Sequence, residues 1–112
     1  MRKDRIASLL SREISKIIEQ DIKDPRLGLI TITTVDVTHD LKKATIYFSS
    51  LGNKREGLEM LNHAKGYIKS SLAHRIRMRF IPDIEFKIDD SFEYGKKIDA
   101  LLDDISKDDT EQ

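Results

Sequence analysis

Apolar residues recur along the chain with two different periods. Between residues ~4 and 21, Ile6, Leu9, Leu10, Ile14, Ile17 and Ile18 are spaced by three and four, which predicts an amphipathic helix. At ~100° per residue, Arg5, Arg12 and Lys16 share a narrow sector well off that stripe and form a basic ridge beside the buried face. Pro25 in "DPRLG" disfavours helical geometry at Asp24 and ends the helix, and Gly28 suits a turn. "LITITTVDV" is rich in β-branched residues and reads as a strand. Ile30 and Ile32 share one parity, Val35 and Val37 the other. No regular strand buries both pairs on one face, so a bulge is predicted near Thr33–Thr34. "THDLK" is a loop. In "KATIYFSSLG", Ala44, Ile46 and Phe48 alternate, giving a second strand and a β-hairpin.

The next periodic segment has a fault in it. Asn53 and Glu56 have capping-box spacing and start a helix whose apolar slots run Leu58, Leu61, Lys65, Ile68, Leu72 and Ile76. Lys65 lies within ~20° of the stripe centre. Gly66 beside it costs ~1 kcal/mol relative to alanine. Two local faults at one point predict a helix–kink–helix; the alternative is a straight helix with Lys65 snorkelling out along its stem. "RFIPDIEFKIDD" follows, with Ile84, Phe86 and Ile88 alternating against Glu85, Lys87 and Asp89 as a half-buried strand. "SFEYG" is a turn, and Ile98, Leu101, Leu102 and Ile105 share one face of a short helix. The predicted order is α-β-β-α-(kink)-α-β-α. That is an α+β layer with a three-stranded sheet and helices on one face. A third strand that arrives by a helical crossover would make the sheet mixed. The whole makes a single domain over residues 1–106, followed by a short flexible acidic tail at 107–112.

Composition adds constraints. The 112 residues contain no cysteine, so there is no disulfide framework and no thiolate metal site, which fits a reducing cytosol. No signal peptide is seen, because Ser11, Arg12 and Glu13 break the first apolar run, and no stretch approaches the ~20 apolar residues of a membrane helix. A soluble cytoplasmic protein without a membrane partner is expected. Net charge is zero but segregated. No Asp or Glu occurs between Glu59 and Asp83, while Lys65, Lys69, Arg75, Arg77 and Arg79 all fall there; acids dominate beyond Pro82. This predicts one face for a polyanion. A break at Gly66 would expose backbone N–H groups and a positive helix end, which binds phosphate, with Lys65 and Lys69 flanking it. Arg2, Lys3, Arg5, Arg12 and Lys16 form a second candidate patch; Arg26, Lys42 and Lys43 are weaker candidates. Taken singly, each cation is as well explained by a surface salt bridge.

The same search finds no enzyme. His63 and His74 stand ~16 Å apart along a straight helix, too far for one metal. The Asp89–Asp90, Asp103–Asp104 and Asp108–Asp109 doublets point their members apart. The glycines form no phosphate-binding loop motif. No catalytic residue, metal site, cofactor or small-molecule substrate is expected.

Four stretches carry a resemblance: the first helix with "IKDPRLGLITITTVDVTHDL"; "KATIYFSSLG"; "HAKGYIKSSLAHRIRMRF" with its Ala64–Lys65–Gly66; and "PDIEFKIDDSFEYG", with the pattern P-x-[IL]-x-F-x-x-D-x-S. From about Arg5 to Leu102 the chain resembles the ribosome-binding factor A family, cold-shock-associated factors of bacterial small-subunit maturation. The resemblance implies a type II KH-like domain in which the Ala-x-Gly kink replaces the usual GxxG loop. It implies a non-enzymatic factor, monomeric in the simplest case, that binds the 30S subunit and 16S rRNA near the decoding region and assists late 16S processing. On that reading Lys65, Gly66, Lys69, Arg75, Arg77 and Arg79, with Arg5, Arg12 and Lys16, are the RNA-facing residues. The rival is a protein-interaction module whose basic face meets an acidic partner.

Overall fold

A computed structural model describes residues 2–91. Helix α1 spans Arg2–Gln20, and a 3-10 turn at Pro25–Leu29 leads into strand β1, Ile30–Val37. Strand β2 is Lys43–Ser50, helix α2 is Lys54–Arg75, and strand β3 is Asp83–Ile88. The sheet order is β1-β2-β3, with β1 antiparallel to β2 and β2 parallel to β3. A parallel neighbour needs a long crossover, and α2 supplies it. The expected short helix around Ile98–Ile105 and the acidic tail lie outside the described residues.

Both helices press on one face of the sheet. From α1 come Ile6, Leu10, Ile14, Ile17 and Ile18, and from α2 come Leu61, Ile68 and Leu72. They meet Val37, Ala44, Ile46, Phe48, Ile84 and Phe86 from the strands. Glu85 and Lys87 alternate outward on β3, as period-2 patterning requires. Among the described residues no buried side chain is polar or charged, so this core rests on apolar burial alone.

The bulge lies where the parity change put it. Ile32 pairs with Phe48 and Thr34 with Tyr47, leaving Thr33 as the extra residue. Ile30 and Ile32 before it, and Val35 and Val37 after it, then turn to the same side. Thr33 Oγ1 has a further task. It donates to Asp89 Oδ2 at 2.5 Å, and the other Asp89 oxygen accepts from the Ser91 N–H at 2.9 Å and its hydroxyl at 2.6 Å. The D-x-S end of the motif that closes β3 is thus a turn clamp fastened to the β1 bulge. These bonds, Ser91's first, hold the Asp89 carboxyl below the usual carboxylate range.

Helix α2 does not kink. It runs unbroken from Lys54 to Arg75, which overturns the predicted break at Lys65–Gly66. Lys65 is half-buried, the condition of a stem lying along the apolar stripe with its ammonium in water. Gly66 is exposed, and a β-carbon added there would meet nothing within 4 Å. A single glycine penalty of ~1 kcal/mol is outweighed by the fully buried Leu61 and Ile68 on either side, each contributing roughly 1.5–3 kcal/mol. At the start of α2, Asn53 Oδ1 accepts from the Glu56 N–H at 3.0 Å. The Glu56 carboxylate turns instead to Arg26, at 2.7 Å.

Candidate nucleic-acid interface

Three segments converge at one end of the domain: the start of α1, the β1–β2 loop and the connection from α2 to β3. The connection is shaped by its alternation. Ile76 ends the helix in extended conformation (φ −115°, ψ 133°), its N–H bonded to the Leu72 carbonyl at 2.8 Å. Ile76 is buried and Met78 half-buried, while Arg77, Arg79 and Phe80 face solvent. Buried Pro82 then fixes the entry to β3.

The β1–β2 loop is held by its own polar side chains. Thr38 Oγ1 donates to Asp40 Oδ1 at 2.7 Å, and the same oxygen accepts from the Lys42 N–H at 3.1 Å. The Thr38 hydroxyl and then the Lys42 amide hold the Asp40 carboxyl below its ordinary range. Leu41 sits at φ 62°, a left-handed conformation that costs a leucine about 1–2 kcal/mol. Its side chain packs half-buried against the core, which offsets that strain.

Together these segments line an open groove of about 1360 Å³. Its cations are Arg2, Arg5, Lys42, Arg75, Arg77 and Arg79; its carboxylates are Asp40 and Asp83; its apolar lining is Ile6, Leu9, Leu41, Ile76, Met78 and Ile81, with the exposed Phe80 at its edge. Among the described residues, Arg2, Arg5, Lys42 and Arg77 have no ion-pair partner, and Arg79 lies over the Phe80 ring at 5.6 Å from its centroid.

The predicted site residues separate into two groups. Arg5, Arg77 and Arg79 come together in the groove, uniting the two patches that lie far apart in sequence. Arg12 and Lys16 continue along the exposed side of α1, with Arg12 3.7 Å from Glu13. Arg75 reaches the groove but is held by Glu13 at 3.4 Å and Asp21 at 3.5 Å. Lys69 donates to Asp83 at 2.7 Å, and this bond chiefly depresses the Asp83 carboxyl. Lys65 acts on Asp83 only through its charge. With α2 continuous, no helix start exists at Gly66, so the phosphate site expected there is absent and Gly66 has no ligand-facing N–H to offer. Lys3 of the second patch pairs with Asp36 at 3.9 Å, and Arg26, a weaker candidate, is clamped by Asp24 and Glu56. Sequence reading missed Lys42 as a groove member of equal standing, the left-handed Leu41, and the exposure of Phe80. The "THDLK" loop signal gave no hint that its hairpin end would lie beside α1.

The class defined by the described residues is a small α+β domain, two α-helices on one face of a mixed sheet, with a cation-lined groove at one end. The expected KH-like order has two kinked helices where this chain has the single α2. The chain belongs to the ribosome-binding factor A family, whose sequence profile matches residues 2–102. It is 44% identical over 112 residues to "Ribosome-binding factor A" of Staphylococcus carnosus, covering 97% of each chain. The crystal structure of ribosome-binding factor A from Thermus thermophilus is similar with a TM-score of 0.72 at 30% identity, over 77% of this chain and 94% of that one. A homology model of the Thermus thermophilus factor, fitted into the cryo-EM map of a 30S complex with that factor, matches at a TM-score of 0.66 and 30% identity, over 75% and 91%.

Proposed function

We propose that this protein is a non-enzymatic assembly factor of the small ribosomal subunit. It acts in the cytoplasm, docking on immature 30S particles and holding 16S rRNA phosphates in the groove while late processing is completed. The observation that carries this reading is the concentration of Arg2, Arg5, Arg77 and Arg79 around one concavity, none of them in an ion pair among the described residues, with Lys42 beside them on the β1–β2 loop. Unpaired arginines keep all their donors available for phosphate oxygens. Such contacts fix position without reading sequence, so rRNA shape and neighbouring ribosomal proteins supply specificity. The Thermus thermophilus relative in a 30S complex supports the choice of polyanion. No helix among the described residues is long and apolar enough to cross a membrane.

Sedimentation through a sucrose gradient tests the proposal. The protein should travel with immature 30S particles and shift to the top after nuclease treatment, and Arg77→Ala with Arg79→Ala should shift it without nuclease. Particle association indifferent to both treatments favours the acidic-protein partner instead.

A further inference from the structure

Phe80 is the part of the groove that phosphate binding does not use. The residue is 74% exposed, although Ile76 and Pro82 on either side of the connection are buried. It contributes little to the core, and leaving a phenylalanine in water forgoes most of the stabilisation that burial of the side chain supplies. It also stands where two hollows meet. The main groove and an adjoining one of about 580 Å³, walled by Gly66, Lys69 and Ala73, share Met78, Arg79, Phe80 and Ile81. The Arg79 guanidinium lies over the ring, and Arg77 is two residues along the same exposed edge. An aromatic ring between cations meets the two demands of a nucleotide at once, a surface for the base and charge for the phosphates.

We infer that Phe80 is a stacking platform for an unpaired nucleobase, so that the RNA held at this point is single-stranded. The inference rests on reading the groove as a phosphate site. Every base has a π-face, so such a platform is tolerant of sequence. A duplex keeps its bases stacked inside and would have to be opened to reach the ring. An acidic peptide would satisfy the arginines but has no use for the ring.

The chain contains no tryptophan, so Phe80→Trp places a single reporter at the site. The full-length variant is titrated with a ~10-nucleotide single-stranded RNA, with a duplex carrying the same number of phosphates, and with polyglutamate. The expected result is strong quenching by the single strand and little by the duplex or polyglutamate. Phe80→Ala, at an exposed position, should fold as the parent does by circular dichroism. It should bind the single strand roughly 5- to 150-fold more weakly with the salt dependence unchanged, because stacking releases no counterions. Equal quenching by duplex, comparable binding of polyglutamate, no saturable binding of the single strand, or undiminished affinity of Phe80→Ala would each overturn the inference. If Phe80→Ala is silent while Arg77→Ala with Arg79→Ala still weakens binding and flattens the salt dependence, the phosphate site stands and the platform falls. If the double arginine variant is silent, the underlying reading fails.

Discussion

The arginine before the hairpin and the arginines after α2 are the same side chain put to opposite uses. Arg26 bonds both oxygens of Asp24, at 2.9 and 3.1 Å, and Glu56 at 2.7 Å. The two carboxylates, Asp24's hydrogen bonds first, raise the guanidinium well above its ordinary value. It is a staple joining the 3-10 turn to the start of α2. Arg77 and Arg79 meet no carboxylate among the described residues and face a groove. The difference shows that a cation's availability is decided by which acids the fold brings to it. The acid-free window between Glu59 and Asp83 is acid-free only in sequence. Lys69 finds Asp83 at the window's edge, and Arg75 finds Glu13 and Asp21 across the α1–α2 contact.

Charge reversal sharpens the contrast most. Arg77→Glu with Arg79→Glu should weaken binding to immature 30S particles by at least ~100-fold, since like charges at a phosphate surface cost several kcal/mol. Reversal of Arg26 should leave that affinity within about threefold, since its charge is already spent on Asp24 and Glu56. A filter-binding or sedimentation assay at fixed salt separates the two.

Arg75 belongs with the staples. Arg75→Ala should lower stability by about 1 kcal/mol, since it removes the cation that Glu13 and Asp21 share across the α1–α2 contact. The loss is measured as a drop in the urea midpoint without change in slope. Its effect on 30S affinity should stay below that of Arg77→Ala, and the reverse order would place Arg75 among the phosphate contacts.

Gly66→Ala acts in the favourable direction. The site is open and the helix continuous, so alanine should add up to ~1 kcal/mol and raise Tm by several degrees, with 30S affinity unchanged. A lower Tm would restore the break that the unbroken helix removes.

The smallest effect is acid sensitivity. The carboxyls of Asp24, Asp40, Asp83 and Asp89 all lie below their ordinary value when folded. A depressed folded-state pKa contributes stability above the unfolded value near 4, and this is lost as pH falls through the folded one. Stability should therefore be flat near neutrality and decline below about pH 4. Asp89→Asn should shallow that decline by removing the clamp on Thr33 and Ser91 from the titration.

Much of the fold is legible in the sequence because it is written in periods. The stripe of α1 and the alternations of β2 and β3 appear where the pattern puts them. The parity change at Thr33 is a two-sided constraint that only a bulge resolves. Lys65 and Gly66 mislead because each is a local fault, whereas a long helix anchored by Leu61, Ile68 and Leu72 absorbs one glycine and lets a lysine snorkel. The site is legible in part. Arg5, Arg77 and Arg79 are identifiable from charge, but their meeting depends on α1, the hairpin loop and the connection reaching the same end of the sheet. No local pattern encodes that distance, nor the carboxylates that occupy Lys69 and Arg75.

The most direct test is the salt dependence of binding to immature 30S particles. The logarithm of the affinity constant should fall steeply and linearly with the logarithm of salt concentration. Arg77→Ala with Arg79→Ala should reduce that slope by about 2, roughly one for each lost phosphate contact. A wild-type slope near zero, or one that the double variant leaves unchanged, would contradict the account.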